Sequence, residues 1–326
     1  MRTSEDLSQV VRTAAEAAIW APSVHNTQPW SLAIAGEEIS LRADTDRKLR
    51  QADATGRQML VSCGAALFNI RTALRAMGYE PLVRVLPDPD RPSLLATIRP
   101  GSAVEVDEDT LRLRGEIERR RTHRAGFADL PVPDRLVQRL VMQAAQEGAT
   151  LTPVGSAEAE QVISALTNVA QSVQSKDRAF SLELIRWAQP PDSGRKDGVP
   201  ADGYPSEGGR TDPHFAQRDY ARGQAWGTGD DQSVAKSTGV VAVFTTREDS
   251  RPAWIAAGQA IQRVLLHASV SGVSAAFHTQ ALEMPLLREF LRQEMFSGAH
   301  PQMIVRLGVT FDEKSGIRRS LADVLE

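Results

Sequence analysis

The sequence predicts an α+β fold of two related halves, each with a mainly antiparallel sheet flanked by helices. Short alternating runs typical of strands are interspersed with long amphipathic helix patterns along the 326 residues. The chain also repeats itself, because Gly64 and Gly78 recur as Gly258 and Gly272, in both cases 194 positions later. An apolar stripe recurs with these glycines. The two halves should therefore lay their central helices against each other, like a dimer folded from one chain.

Hydrophobic periodicity predicts the elements of both halves. They lie, in chain order, at residues 5–20 (helix), 29–44 (two strands), 56–80 (helix), 81–87 and 94–100 (strands), 134–154 (helix, then strand) and 257–277 (helix, then strand). A hairpin is expected at Gly36, and Gly78 is a natural C-terminal stop for the first central helix.

The predicted halves comprise residues 1–112, a truncated half, and residues 113–326. One segment, residues 189–231, lies outside the repeat and is rich in proline, glycine and charge. A long insertion of this kind in a compact protein is usually either a functional lid or disordered. Four aromatic residues favour a lid, because disordered segments are poor in them. These residues are Tyr204, Phe215, Tyr220 and Trp226.

Charge and composition exclude several classes of partner. The formal net charge is −3 and the pI is about 6.1, which gives no electrostatic case for binding nucleic acid or an anionic membrane surface. The first residues do not resemble a secretory signal and no apolar run approaches the length of a membrane span, so a cytoplasmic protein is expected. A single cysteine, Cys63, and six scattered histidines predict no metal site.

The stretch "APSVHNTQPW", residues 21–30, is an unusual loop. Five hydrogen-bonding side chains occupy the six positions 23–28, hardly any of the stretch is charged, and a strand follows. Such neutral side chains can both donate and accept hydrogen bonds. Taken alone, the stretch could equally be an ordinary loop that caps a strand.

Arginines cluster in the stretch "ERRRTHRAGF", which contains Arg119, Arg120, Arg121, Thr122 and Arg124. A solvated helix face is one interpretation. A phosphate cradle is the other, because forked guanidinium groups bind phosphate through paired charge-assisted hydrogen bonds. Successive residues on a helix point about 100° apart, so only two or three of the arginines should reach one ligand.

A second arginine pair, Arg318 and Arg319, lies near the C-terminus. By itself it could be a frayed, charged tail. Beside the first cluster, convergence on the same anion is plausible.

Several familiar motifs are missing from the sequence, which contains no GxGxxG after a strand, no GxxxxGK[ST] and no GxSxG. Cys63 lies on the apolar stripe of a helix, as expected of a structural thiol.

Two stretches resemble motifs of the FMN-dependent nitroreductase superfamily. "APSVHNTQPW" is similar to its APSxxNxQPW element, and "RRTHRAGF", residues 120–127, is similar to its RRSxRxF element. The order of the two elements is reversed relative to an ordinary member, and the second half reads "QEGATLTP" where a second APS element should stand. This departure resembles the tandem, Acg-type branch, in which two nitroreductase-like halves are fused.

The resemblance implies one composite FMN site per chain, formed by the arginine element of one half and the APS element of the other. Arg318 and Arg319 would add to the phosphate end, Asn26 and Gln28 would lie near the flavin ring, and Thr279 would lie beside it. The implied FMN-binding residues are Ser23, His25, Asn26, Gln28, Arg120, Arg121, Thr122, Arg124, Thr279, Arg318 and Arg319.

The same resemblance implies an oxidoreductase that takes electrons from NAD(P)H and passes them through FMN to a nitroaromatic, a quinone or a similar small molecule. The flavin carries the redox step, so no catalytic side chain is assigned. The chain is expected to act as a monomer that is an internal pseudo-dimer. An FMN-storage protein whose lid blocks NAD(P)H is the alternative, and a flavin-free structural relic is a third possibility.

Overall fold

Two four-stranded sheets organise the molecule, one in each half of the chain. The computed structural model describes residues 4–124, 126–204, 210–211, 215–220, 226–227, 237–311 and 316–326. Its helices are α1 (Ser4–Ala18), α2 (Arg57–Ala76), α3 (Glu108–Glu116), α4 (Asp134–Ala145), α5 (Ala157–Lys176), α6 (Arg178–Arg186), α7 (Arg251–Val270), α8 (Pro285–Phe290) and α9 (Leu321–Val324). Its strands are β1 (Trp30–Ala35), β2 (Glu38–Ala43), β3 (Tyr79–Val85), β4 (Leu94–Ala103), β5 (Thr150–Pro153), β6 (Arg210–Thr211), β7 (Phe215–Ala216), β8 (Val240–Thr246), β9 (Val273–Phe277) and β10 (His300–Val309).

The two large sheets share one topology. Their strand orders are β1-β2-β4-β3 and β5-β8-β10-β9, so the four strands of each large sheet, counted along the chain, lie in the order first, second, fourth, third. Every neighbouring pair is antiparallel. A 20-residue helix connects the second and third strands in both halves, α2 in one and α7 in the other. The predicted α+β fold of two related halves is confirmed.

Local predictions in the first half also agree with the structure. The hairpin turns at Gly36, whose φ is +59°, and the flanking Ala35 and Glu38 are paired. Helix α2 is followed by Gly78 at φ +83°, a left-handed conformation that glycine adopts without the strain of a Cβ. Cys63 is fully buried on α2, where its thiol donates a hydrogen bond to the carbonyl oxygen of Pro29. Burial raises the pKa of this thiol, as fits a structural residue.

The repeated glycines lie where the two central helices cross. A Cβ added to Gly64 would be 2.2 Å from the carbonyl oxygen of Ile255, and one added to Gly258 would be 2.0 Å from that of Val61. Only glycine allows backbones to approach this closely. The two positions that the repeat matches by number are therefore also matched in space, on either side of the α2–α7 contact.

Gly258→Ala is expected to lower the free energy of unfolding by about 3 kcal/mol, the upper end of the usual overpacking range, because the obstacle is backbone. Urea denaturation measures the change. Gly115→Ala is the matched control, since Gly115 is also helical but an added Cβ there meets nothing within 4 Å. This control should gain about 0.5–1 kcal/mol. Equal effects of the two substitutions would refute the close crossing.

The second half contains a large addition between its first two strands. The equivalent strands of the first half are joined by a two-residue turn, whereas α5 and α6 and the predicted insertion separate β5 from β8. The addition therefore begins well before residue 189. Part of the predicted insertion lies outside the described residues, namely 205–209, 212–214, 221–225 and 228–231.

The described aromatic residues of the insertion are packed against the protein. Tyr204, Phe215 and Tyr220 are buried, and Trp226 is partly buried. Tyr204 and Tyr220 join an apolar cluster that includes Leu49 of the first half. Tyr204 and Tyr220 thus contact the first half of the chain, whereas Phe215 packs within the second half.

The C-terminal segment, residues 316–326, returns to the first half. Leu325 forms a parallel bridge with Leu32 of β1, and the backbone amide of Glu326 donates to the carbonyl oxygen of Leu32 at 2.9 Å. The last residues of the second half thereby lie beside the edge of the first sheet.

Among the described helices, none has the length and apolar character needed to cross a membrane.

Candidate functional site

Two adjoining cavities lie between the halves. The larger is mainly apolar and is bordered by α2, by α7 and by the residues that follow β9. The smaller is bordered by arginines and by the C-terminal segment. Pro22, Ser23, Thr122 and Arg124 line both cavities, so the two form one continuous site. The loop of residues 21–30 thus lies beside the arginine stretch.

The 21–30 loop has a strained backbone. His25, Asn26 and Gln28 have φ values of 48°, 54° and 48°, in the left-handed region that non-glycine residues rarely adopt. Such residues cost about 1–3 kcal/mol each and persist only where the surroundings hold them. Here the hydroxyl of Ser23 accepts from the backbone amide of Gln28 at 2.9 Å. The loop is therefore held in one particular shape.

His25 forms part of the wall of the apolar cavity. Its Nδ1 lies 3.0 Å from the hydroxyl of Tyr220, which belongs to the insertion. Burial and, to a smaller extent, the nearby Arg218 lower the pKa of His25 to about 3. The imidazole is therefore neutral at physiological pH and offers a hydrogen bond rather than a charge.

Asn26 and Gln28 have their amides occupied by the protein. Asn26 Nδ2 donates to the carbonyl oxygens of Gly198 and Ile317, at 2.9 and 3.2 Å. Gln28 is fully buried, donates to the carbonyl oxygen of Lys196 at 2.8 Å and accepts from the backbone amide of Arg319 at 2.8 Å. Asn26 borders the smaller cavity, whereas Gln28 is among the lining residues of neither.

The arginine stretch leaves the helix partway along. Helix α3 ends at Glu116, a turn follows in which the backbone amides of Arg119 and Arg120 donate to the carbonyl oxygen of Glu116, and Thr122 pairs with Ala275 as a parallel bridge on β9. The expectation that helical geometry limits which arginines reach a ligand therefore does not apply beyond Arg120. The arginines also differ in exposure to solvent, since the Arg119 side chain is 79% exposed whereas Arg120 is 3% exposed.

Arg120 is a buried cation. In the part of the chain that the structure describes, none of its three guanidinium nitrogens has a hydrogen-bond partner, and Arg120 is among the lining residues of neither cavity. Burial and three neighbouring arginines lower its pKa well below the ordinary value. A buried charge is normally paired, because leaving water is costly. This guanidinium is therefore suited to an anionic ligand.

The other arginines differ in how many hydrogen bonds their guanidinium groups already make to the protein. Arg318 lines the smaller cavity with its Nε unpartnered, and burial lowers its pKa to about 9. Arg121 also lines it, donates to the carbonyl oxygen of Glu118 at 2.5 Å and stacks on Trp20 at 5.7 Å. The Arg319 guanidinium donates to the carbonyl oxygen of Asp323 and lines neither cavity.

A buried polar network borders the larger cavity and was missed by sequence reasoning. Glu283 accepts from Arg218 at 2.6 Å and from the hydroxyl of Thr279 at 2.7 Å. The Arg218 and Glu283 side chains are 6% and 1% exposed. Burial alone would raise the pKa of Glu283, but Arg218 outweighs it and keeps the carboxylate charged. No motif marks either residue, since they are 65 positions apart.

Comparison with solved structures finds nitroreductases at low similarity. No protein-family model matches the chain. A nitroreductase with bound FMN from Desulfitobacterium hafniense is 16% identical with a TM-score of 0.41, over 65% of this chain and 96% of that one. The FMN-dependent nitroreductase NfnB from Mycobacterium smegmatis, solved with NADPH, is 14% identical with a TM-score of 0.40, over 67% and 99%.

Similarity in sequence extends along almost the whole chain. A Mycobacterium tuberculosis protein whose name places it among the NAD(P)H nitroreductases is 33% identical over 316 residues, 94% of this chain and 87% of that protein. A second from the same organism, acg, carries the same kind of name and is 29% identical over 310 residues, 93% and 89%. The predicted superfamily is thereby confirmed, and the chain belongs to the nitroreductase family.

Proposed function

We propose that the protein is an FMN-dependent oxidoreductase that takes electrons from NAD(P)H and delivers them to a small molecule such as a nitroaromatic or a quinone. The observation that carries this proposal is the buried guanidinium of Arg120, which has no hydrogen-bond partner among the described residues and is electrostatically coupled to the three arginines that line the smaller cavity. The names of the M. tuberculosis relatives point to the same chemistry.

The arginine cluster, defined as Arg120, Arg121, Arg124 and Arg318, suits the phosphate end of FMN. A phosphate monoester carries about two negative charges at neutral pH and offers strong acceptor oxygens. Arginine binds it through forked, charge-assisted hydrogen bonds, and the hydroxyl of Thr122 adds a neutral donor. The phosphate would also relieve the repulsion among these cations.

The apolar cavity suits the flat ring. Ser23, the neutral His25 and Thr279 line it, and these side chains can meet the edge of an isoalloxazine without adding charge. FMN bound there would supply the redox chemistry, accepting hydride from NAD(P)H and releasing electrons to the acceptor. The protein would bind and orient the cofactor and exclude water from it.

One FMN per chain is supported by the opposite side of the molecule. A cleft there is bordered by Val83, Val85 and Gln259, which the 194-residue offset relates to Phe277, Thr279 and Ala65 of the apolar cavity. Its arginines are paired within the protein, Arg71 and Arg263 with Glu147 at 2.6 and 3.1 Å, and Arg75 with Glu80 at 2.5 Å. In the proposed division at residue 112, and among the described residues, the side that combines the buried Arg120 with the 21–30 loop is therefore the one that would bind FMN.

Storage of FMN is the second candidate, and the insertion favours it. Arg218 and Tyr220 line the apolar cavity and are bonded to Glu283 and His25, so the insertion already covers this side of the site. A cover that does not open would keep NAD(P)H from the ring.

Anaerobic reduction separates the two candidates. Protein loaded with FMN and mixed without oxygen with NADPH or NADH should lose the visible absorption of oxidised flavin, and a small-molecule acceptor should restore it. Dithionite, a small chemical reductant, is the control that shows the bound flavin to be reducible. Colour that persists with both nucleotides but bleaches with dithionite would contradict the oxidoreductase and favour storage. Failure to bind FMN in a titration would contradict both.

A further inference from the structure

We propose that Gln28, assisted by Asn26, is a positioning residue that fixes Arg318 at the phosphate end of the site, instead of contacting the flavin ring. The inference rests on the proposed FMN function. It replaces the ring contact that the family resemblance implies for these two amides.

The two peptide groups that flank the Cα atom of Arg318 are both held by the 21–30 loop. The group before it is bonded through the carbonyl oxygen of Ile317, which accepts from Asn26 Nδ2 at 3.2 Å. The group after it is bonded through the amide of Arg319, which donates to Gln28 Oε1 at 2.8 Å. The loop holds Asp197 and Gly198 of the insertion in the same way, through bonds to the carbonyl oxygens of Lys196 and Gly198 and to the amide of Gly198. The loop therefore sets the point from which the Arg318 side chain begins.

The orientation of the Gln28 amide is unambiguous. Its oxygen faces an N–H donor, and its nitrogen faces the carbonyl oxygen of Lys196 at 2.8 Å. Exchanging the two ends would place donor against donor and acceptor against acceptor. Both ends of this fully buried side chain are thus used, one on the C-terminal segment and one on the insertion.

The strained backbone of the loop supports the same role. Left-handed φ values at Asn26 and Gln28 direct both amides toward the C-terminal segment and toward residues 196–198. Arg318 itself is only lightly held at its tip, since its Nε is unpartnered and its outer nitrogens donate to the carbonyl oxygens of Ile317 and Trp20 at 2.8 and 3.4 Å. A long arginine side chain binds an anion best when little freedom remains to be lost. Fixing its backbone is how the loop would contribute.

The test compares FMN with riboflavin, which has the same ring and lacks the phosphate. Gln28→Ala should weaken FMN binding about tenfold, equal to about 1.4 kcal/mol, and leave riboflavin binding unchanged. Asn26→Ala, which releases the other peptide group, should act in the same direction. In an Arg318→Ala background, Gln28→Ala should cause no further loss of FMN affinity, because the residue it positions is gone.

Asn69→Ala is the matched control, since Asn69 is an equally buried amide with hydrogen bonds to Ala17 and Gln262 but lies away from the C-terminal segment. It should lower thermal stability without changing the ratio of FMN to riboflavin affinity. Gln28→Glu keeps an acceptor for the Arg319 amide and should retain more of the FMN preference than Gln28→Ala. Equal loss of FMN and riboflavin binding in the Gln28 and Asn26 variants, or no loss of either, would overturn the positioning role. A wild-type protein that binds neither flavin would instead refute the proposed function.

Discussion

Replacing Arg120 and Arg121 together by alanine is expected to weaken FMN binding by about 3–6 kcal/mol, or roughly two to four orders of magnitude. The estimate assigns about 1.5–3 kcal/mol to each hydrogen bond made to a charged group. Arg120 should account for the larger share, because it is deeply buried and unpartnered, whereas Arg121 is half-buried and already bonded to backbone. Isothermal titration of the flavin-free protein with FMN measures the loss.

Arg119→Ala is the matched control for this prediction. Arg119 carries the same charge in the same stretch, but its side chain is 79% exposed. Its removal should leave FMN affinity nearly unchanged. A second check is the free energy of unfolding of the flavin-free protein. The Arg120→Met variant should be no less stable than the wild type, because the substitution removes a buried cation that has no partner among the described residues. Unchanged FMN affinity in the double variant would mean that the phosphate binds elsewhere.

Arg218→Met is expected to lower the free energy of unfolding by about 3–5 kcal/mol, because it leaves the buried carboxylate of Glu283 without its counter-charge. The pair is 2.6 Å apart, and both side chains are almost completely enclosed. Guanidinium denaturation of the flavin-free protein measures the change. Adding Glu283→Gln should restore a large part of the lost stability, since a neutral amide can keep the hydrogen bond from Thr279 or Gln174 without a buried charge.

The control for this second prediction is the exposed pair of Arg112 and Glu108, whose side chains are 57% and 78% exposed. Arg112→Met should have little effect, because water screens such pairs. If Arg218→Met were no more harmful than Arg112→Met, the ion pair would not anchor the insertion to the cavity wall. A variant carrying both Arg218→Met and Glu283→Gln that remained as unstable as Arg218→Met alone would point to lost packing on Phe180 as the cause.

Sequence reasoning succeeded where the determining interactions are local or periodic. The helices and strands follow from apolar spacing, and the hairpin at Gly36 from turn chemistry. The 194-residue repeat also predicted that the two central helices lie against each other, and in the structure Gly64 and Gly258 lie at that contact. The juxtaposition of the 21–30 loop and the arginine stretch depended on the family resemblance.

The remaining features depend on contacts between residues far apart in the chain. The arginine stretch leaves the helix before Thr122, which pairs with an edge strand more than 150 positions later, a contact that local helix propensity cannot predict. Gln28 was expected at the ring because its type suits a flavin edge, yet its amide is used by Lys196 and Arg319. The Arg218–Glu283 pair joins an insertion without a motif to a short turn after β9. Only the folded chain reveals these partners.

Because α2 and α7 cross within one chain, dilution of the protein should not separate the two sides of the site. The loop on one side of the cavities and the arginines on the other belong to halves that a continuous backbone joins, so they meet at an effective concentration that does not depend on how much protein is present. Two separate subunits would part as they are diluted, and a cofactor held between them would be released. Here the occupancy of the site should follow the concentration of free FMN alone, even at nanomolar levels of protein.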